Sequence, residues 1–200
     1  MEKTSFKYVT ALIFVLALAS LLSAQEQTSA RFSHKGIKGL VAFGRFENDF
    51  GRELNDGEGG SLSLGYGFSD KFTLWLTALG VEHPQNAVNH SVTDFAGLEL
   101  NLQYKFLADT PIQPYGKVGV GFYAFEEQGT EVTVTGGGLA LGLGADYFFS
   151  KHFGIGAELM IKNIEFDKQR RHVPGNKVVS DSNAELEGES IGFMITLTIQ

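Results

Sequence analysis

No cysteine occurs among the 200 residues of the chain. That absence removes disulfide scaffolds, Cys zinc sites, iron–sulfur clusters, thiol nucleophiles and a lipid-modified N-terminal Cys together. Tryptophan occurs once and proline four times, whereas phenylalanine occurs 17 times and 43% of the residues are hydrophobic. Such a composition is too apolar and aromatic for a disordered chain. Basic residues are the minority, 16 against 23 acidic ones, for a formal charge of -7. This balance argues against nucleic-acid binding, whose main energy comes from Lys and Arg on phosphates. Beyond residue 24 no apolar run is long enough to cross a bilayer as a helix, because charges, amides and glycines interrupt every candidate. The length suits one domain.

The N-terminal segment stands apart. Lys3 and Lys7 precede an apolar stretch from Val9 to Leu22, followed by Ser23-Ala24 and the polar run Gln25-Glu26-Gln27-Thr28-Ser29. A basic n-region, an apolar h-region and a small residue before the break read as a signal peptide over residues 1–24. The apolar run falls short of the roughly 20 residues that a spanning helix needs, so export with cleavage after Ala24 is expected rather than a retained anchor. Residues 25–35 then form a periplasmic lead, and the folded domain occupies residues 36–200.

Within that domain hydrophobicity alternates with a period of two, the signature of strands. Ala96, Leu98, Leu100, Leu102, Tyr104 and Phe106 interleave with Phe95, Gly97, Glu99, Asn101, Gln103 and Lys105. The same pattern recurs around Val118–Ala124, Leu139–Tyr147, Phe153–Ile161 and Ile191–Ile199, and across these strands the apolar face carries neither charge nor amide. Less regular strands run through Leu62–Phe68 and Phe72–Ala78, and a first one lies around Gly36 to Glu47, where the orientation of Leu40 and Val41 is undetermined by pattern. The sum is eight strands of about 10 to 15 residues, and ten residues at about 3.4 Å, tilted near 40°, rise about 26 Å, the apolar height of an outer membrane.

The connections alternate between tight and long. Phe68-Ser69-Asp70-Lys71-Phe72 and Phe149-Ser150-Lys151-His152-Phe153 repeat one device, a three-residue polar turn between phenylalanines, and Leu107 to Gln113 is also compact. The remaining connections, Asn48 to Glu58, Glu82 to Ser91, Glu126 to Glu131 and Asp167 to Leu186, are longer or more charged. An up-and-down barrel collects its tight turns at one end and its long loops at the other. Tyr66, Phe68, Phe72, Tyr104, Phe106, Tyr147, Phe149 and Phe153 would then form an aromatic girdle at one bilayer interface.

Residues 36 to 200 thereby resemble the small bacterial outer-membrane β-barrel family, of the kind seen in OmpX and the transmembrane domain of OmpA, on strand count, loop alternation and the aromatic ring. The resemblance implies an all-β fold: an eight-stranded antiparallel up-and-down transmembrane β-barrel in the outer membrane, with periplasmic tight turns and long loops outside. It also implies outer-membrane lipid, lipopolysaccharide and the assembly machinery as partners of a monomer with no cofactor and no metal. Such barrels usually finish on an aromatic residue, whereas this chain ends Thr198-Ile199-Gln200 and its last aromatic is Phe193.

Turning the polar faces inward places Glu99, Lys105, Lys117, Asp146, Glu158 and Lys162 in the lumen, three acids and three bases. Buried ions must pair, because an unpaired charge in a low dielectric costs several kcal/mol. In an eight-stranded barrel the interior is just wide enough for side chains to fill, so a plug is favoured over a narrow pore. Register counted back from the Glu126 to Glu131 connection pairs Lys117 with Asp146, directly or one diagonal step apart. A soluble lipocalin-like binder would turn its oily face inward, but the charge-free stripe with aromatic ends suits lipid instead. Catalysis has thin support. His90-Ser91 with Asp94 is the nearest approach to an acyl-hydrolase triad, His83 and His90 lack carboxylate spacing for a metal, and Gly136-Gly137-Gly138 has no Lys-Ser/Thr of a phosphate loop. Non-enzymatic membrane-integrity or surface contact is the expected role. In the loops, Asp49, Glu53, Asp56 and Glu58 are acidic, while Lys168, Arg170, Arg171 and His172 offer cations to lipopolysaccharide phosphates.

Overall fold

The computed structural model describes residues 34–50, 56–83, 93–127, 132–173 and 176–200, without the side chains of Thr93, Glu127 and residues 169–185. The expected signal peptide, most of the lead, Glu53, His90 and Ser91 lie outside the described residues.

Eight strands follow in order: β1 Gly36–Asp49, β2 Gly57–Gly67, β3 Phe72–His83, β4 Thr93–Lys105, β5 Ile112–Glu127, β6 Val132–Phe148, β7 Phe153–Val173 and β8 Asn176–Ile199. Each pairs antiparallel with its neighbour, and β1 closes on β8 from Gly39 opposite Ile199 to Asp49 opposite Glu189. Closure leaves no edge in the barrel wall, the condition for a sheet to stand in lipid. Alternation decides which side chains point where. Leu64, Leu100, Val120, Leu141 and Ile195 stand exposed on the outer wall, while Trp75, Gln103, Tyr115 and Met194 are buried inside.

In β1, Lys38, Leu40, Ala42, Phe46 and Asn48 face inward and Ile37 and Phe43 face out. Pattern alone could not orient this strand, because Lys38 sits among apolar inward neighbours while Arg45 and Glu47 occupy the outer face near the long-loop end. The chain enters β1 through Gly36, whose φ of +106° an L side chain rarely adopts.

Two expectations change. The strands run from 11 to 24 residues rather than 10 to 15. The connection from Asp167 to Leu186, read as a long loop, is instead a ribbon: β7 and β8 stay paired as far as Val173 opposite Asn176. Only Pro174-Gly175, residues suited to a tight turn, separate them. Beyond Phe166 the sequence of these two strands carries no apolar alternation to betray them. The register of β7 shifts between Phe166 and Lys168, leaving Asp167 as an extra residue opposite the Thr135/Gly136 step. Gly136-Gly137-Gly138 lies within β6 at that step.

Candidate functional site: the filled lumen

All six ions expected in the lumen are buried there, each less than a tenth exposed. Lys162 on β7 forms an ion pair with Glu99 on β4. The Tyr123 hydroxyl donates to Glu99 Oε1 at 3.1 Å, and Asn101 Nδ2 donates to Oε2 at 3.1 Å. The second pair repeats the chemistry: Lys117 Nζ donates to Glu158 Oε2 at 2.5 Å, and the Tyr115 hydroxyl donates to the same oxygen at 2.7 Å. Each carboxylate thus holds one ammonium and one phenol, which offsets the cost of removing it from water.

The expected pairing of Lys117 with Asp146 is not what forms. The β5–β6 hairpin closes at Glu127 opposite Val132, which sets Lys117 opposite Gly142 and Asp146 opposite Gln113. Four residues of offset exceed a diagonal step, and Glu158 takes the lysine from the other side of β6. Asp146 accepts instead from Thr196 Oγ1 at 3.4 Å. Lys105 donates to Gln113 Oε1 at 2.7 Å, with its ammonium 4.5 Å from the centroid of the Phe148 ring.

Pattern reading missed a seventh ion and most of the neutral packing. Lys38 is buried and donates to Thr73 Oγ1 at 3.2 Å. Trp75 Nε1 donates to Gln103 Oε1 at 2.9 Å. Inward glycines make room for the rings: a Cβ on Gly144 would sit 2.6 Å from Tyr115, and one on Gly97 would sit 2.6 Å from Tyr123. A glycine opposite a tyrosine on the inner face was the available signal.

At the tight-turn end the lumen is stopped by His34, the last residue but one before β1, which is fully buried. Its Nδ1 lies 2.7 Å from Gln200 Oε1 and its Nε2 lies 2.8 Å from Gln113 Nε2. The Gln200 oxygen can only accept, so Nδ1 turns an N–H toward it, while Nε2 also lies 3.1 Å from Ala108 O. Burial, with the ammonium groups of Lys105 and Lys38 nearby, lowers its pKa from 6.5 to about 4. Gln200 Nε2 also donates to Lys151 O at 3.1 Å, so one side chain ties lead, turn and last strand together.

The other end closes on oil. Phe50 packs against Phe95, Phe125 and Phe166 at centroid distances of 5.2, 5.5 and 5.3 Å, in a cluster with Phe46, Val81 and Ile164. Phe95 belongs to the face read as polar, yet near the long loops the lumen turns apolar. His83 is buried beside this cluster and its Nε2 accepts from Asn48 Nδ2 at 2.7 Å. Among the described residues no group of three His, Asp or Glu could hold a metal. Of the candidate hydrolase trio only Asp94 is described, and it is half-buried at the barrel rim.

The eight aromatics of the tight-turn end all project from the outer wall, Tyr104 half-buried and the others exposed. Phe68 and Phe72 stack at 5.8 Å, Phe72 meets Tyr104 at 4.9 Å, and Phe149 stacks on Phe153 at 6.4 Å. An oily wall ringed by aromatics, around an interior filled by side chains, is inside-out relative to a water-soluble barrel. The model of the outer membrane protein beta-barrel domain matches residues 14–195. The chain belongs to that family. It is a bacterial outer-membrane β-barrel protein. Its structure is similar to neisserial surface protein A, with a TM-score of 0.65 at 14% identity, covering 82% of this chain and 97% of that one. It is also similar to outer membrane protein OprG from Pseudomonas aeruginosa, with a TM-score of 0.56 at 17% identity over 84% of this chain and 98% of that one. At such identities the likeness of this outer-membrane barrel to either is one of fold. No curated protein matches its sequence.

Proposed function

We propose that this outer-membrane barrel is a non-enzymatic protein of membrane-integrity or surface-contact function whose lumen is a plug. The observation that carries the reading is the filling of the lumen along its length. His34 and Gln113 lie at one end, two ion-pair clusters in the middle and the Phe50 cluster at the other end. Eight strands leave an interior about as wide as its own side chains. The aromatic girdle seats the tight-turn end at the bilayer interface. Outer-membrane lipid and lipopolysaccharide surround a monomer that takes no cofactor, and the outer-membrane assembly machinery inserts it. Purified, refolded protein in planar bilayers is expected to give no steady conductance. Large, stable channels would overturn the plug.

A further inference from the structure

The outer wall carries a groove of about 460 Å³ where β4, β5 and β6 meet the irregular part of β7. Large apolar side chains cover the wall below it, but here the small Ala96, Ala124 and Gly137 hold outward positions between Leu98 and Phe122 on the one hand and Thr135 on the other. A Cβ on Gly137 would meet nothing nearer than Gly121 O at 3.7 Å, so the space is open. Phe122, 79% exposed, stands off the wall and forms one side. One step further along these strands Asp94 and Glu126 begin the polar rim, so the groove lies at the boundary between acyl chains and headgroups.

The extra residue in β7 gives this groove a cation. From Phe153 to Phe166 the odd positions of β7 face out and the even ones face in; Ile164 and Phe166 are buried. Continued unbroken, that parity would point residue 168 into the lumen. The bulge at Asp167 reverses it. Lys168 is exposed opposite Thr135 at the mouth of the groove. Asp167 borders the same mouth, so the match is to a single phosphate rather than to a dense polyanion.

We propose that this groove is a lipid site: it takes one acyl chain of a phosphorylated lipid of the long-loop leaflet, with the phosphate on Lys168. The inference deepens the lipopolysaccharide contact of the proposed function by assigning it a seat. An apolar cleft of this volume is of ligand-binding size, a bilayer fills it with hydrocarbon in any case, and the re-aimed cation selects among lipids by headgroup.

The test is native mass spectrometry of the intact, refolded chain released from detergent micelles. The probes are diphosphoryl lipid A, the same lipid with its phosphates removed, and inorganic phosphate. The wild type is expected to retain one lipid A, with a preference of about tenfold over the dephosphorylated form, the size of one charge-assisted contact. Gly137→Leu, which fills the groove, and Lys168→Glu should each lower retention by a similar factor, while inorganic phosphate at millimolar concentration should not compete. Equal retention of both lipids, unchanged retention in both variants, or displacement by inorganic phosphate would overturn the site. Heat-shifted gel mobility reports folding of each variant. Conductance of the same preparation judges the plug separately, since an open lumen leaves lipid retention on the outer wall unaltered.

Discussion

Single residues in the lumen act through the partner they leave behind. Lys117 and Glu158 are each almost wholly buried, so Lys117→Met leaves an uncompensated carboxylate, for which a loss of about 3–5 kcal/mol is expected. Pairing the change with Glu158→Gln should recover most of that loss in urea titrations followed by circular dichroism. Pairing it with Asp146→Asn should not, because Asp146 is not the partner. His34 gives a pH signature. Its pKa falls from 6.5 to about 4 in the folded chain, chiefly by burial and then by Lys105 and Lys38. Between those values the unfolded chain binds the extra proton, so this residue's share of stability is complete above pH 6.5, drains away as pH falls toward 4 and changes no further below. Urea midpoints measured from pH 7.5 to 4 should show this slope in the wild type and a flatter one in His34→Gln. Parallel slopes would mean that His34 does not carry it. The residue is invisible to pattern reading because it precedes the first strand and meets Gln113 and Gln200 only after closure.

At the level of the strand, alternation told most of what was needed wherever one face meets lipid. Leu98, Leu100 and Leu102 against Glu99, Asn101 and Gln103 orient β4 without ambiguity, and β5 to β8 follow. The signal fails where the outer face leaves the hydrocarbon. Phe95 turns inward, and the β7–β8 ribbon past Phe166 passes for a loop. Depth along a strand should therefore set the cost of a charge. Leu100→Arg, mid-wall, is expected to cost about 2–4 kcal/mol, whereas Gly80→Arg, on the same outer face beside the rim with open space around its Cβ, should cost less than about 1 kcal/mol. Refolding yields into vesicles over a urea series would measure the difference, and equal costs would contradict a lipid-facing wall.

The molecule as a whole was legible as a barrel because closure is the one way to satisfy eight strands' backbone groups in lipid. Its interior was legible only as a list of charges. Which acid takes which base depends on stagger around the circumference, and a one-hairpin count cannot supply it: Glu158 reaches Lys117 across β6, and Lys162 reaches Glu99 across the lumen. The apolar cap at the long-loop end and the histidine stop at the other are likewise products of three-dimensional meeting. One inward side chain has a consequence for how the protein can be watched. The chain owns a single indole, Trp75, and it is 2% exposed, hydrogen-bonded to Gln103 inside the barrel rather than set in the girdle. Intrinsic fluorescence of this protein therefore reads the dryness and order of the interior, and is shielded by the wall from quenchers carried on lipid tails. The barrel brings its own optical probe of how its interior side chains are packed.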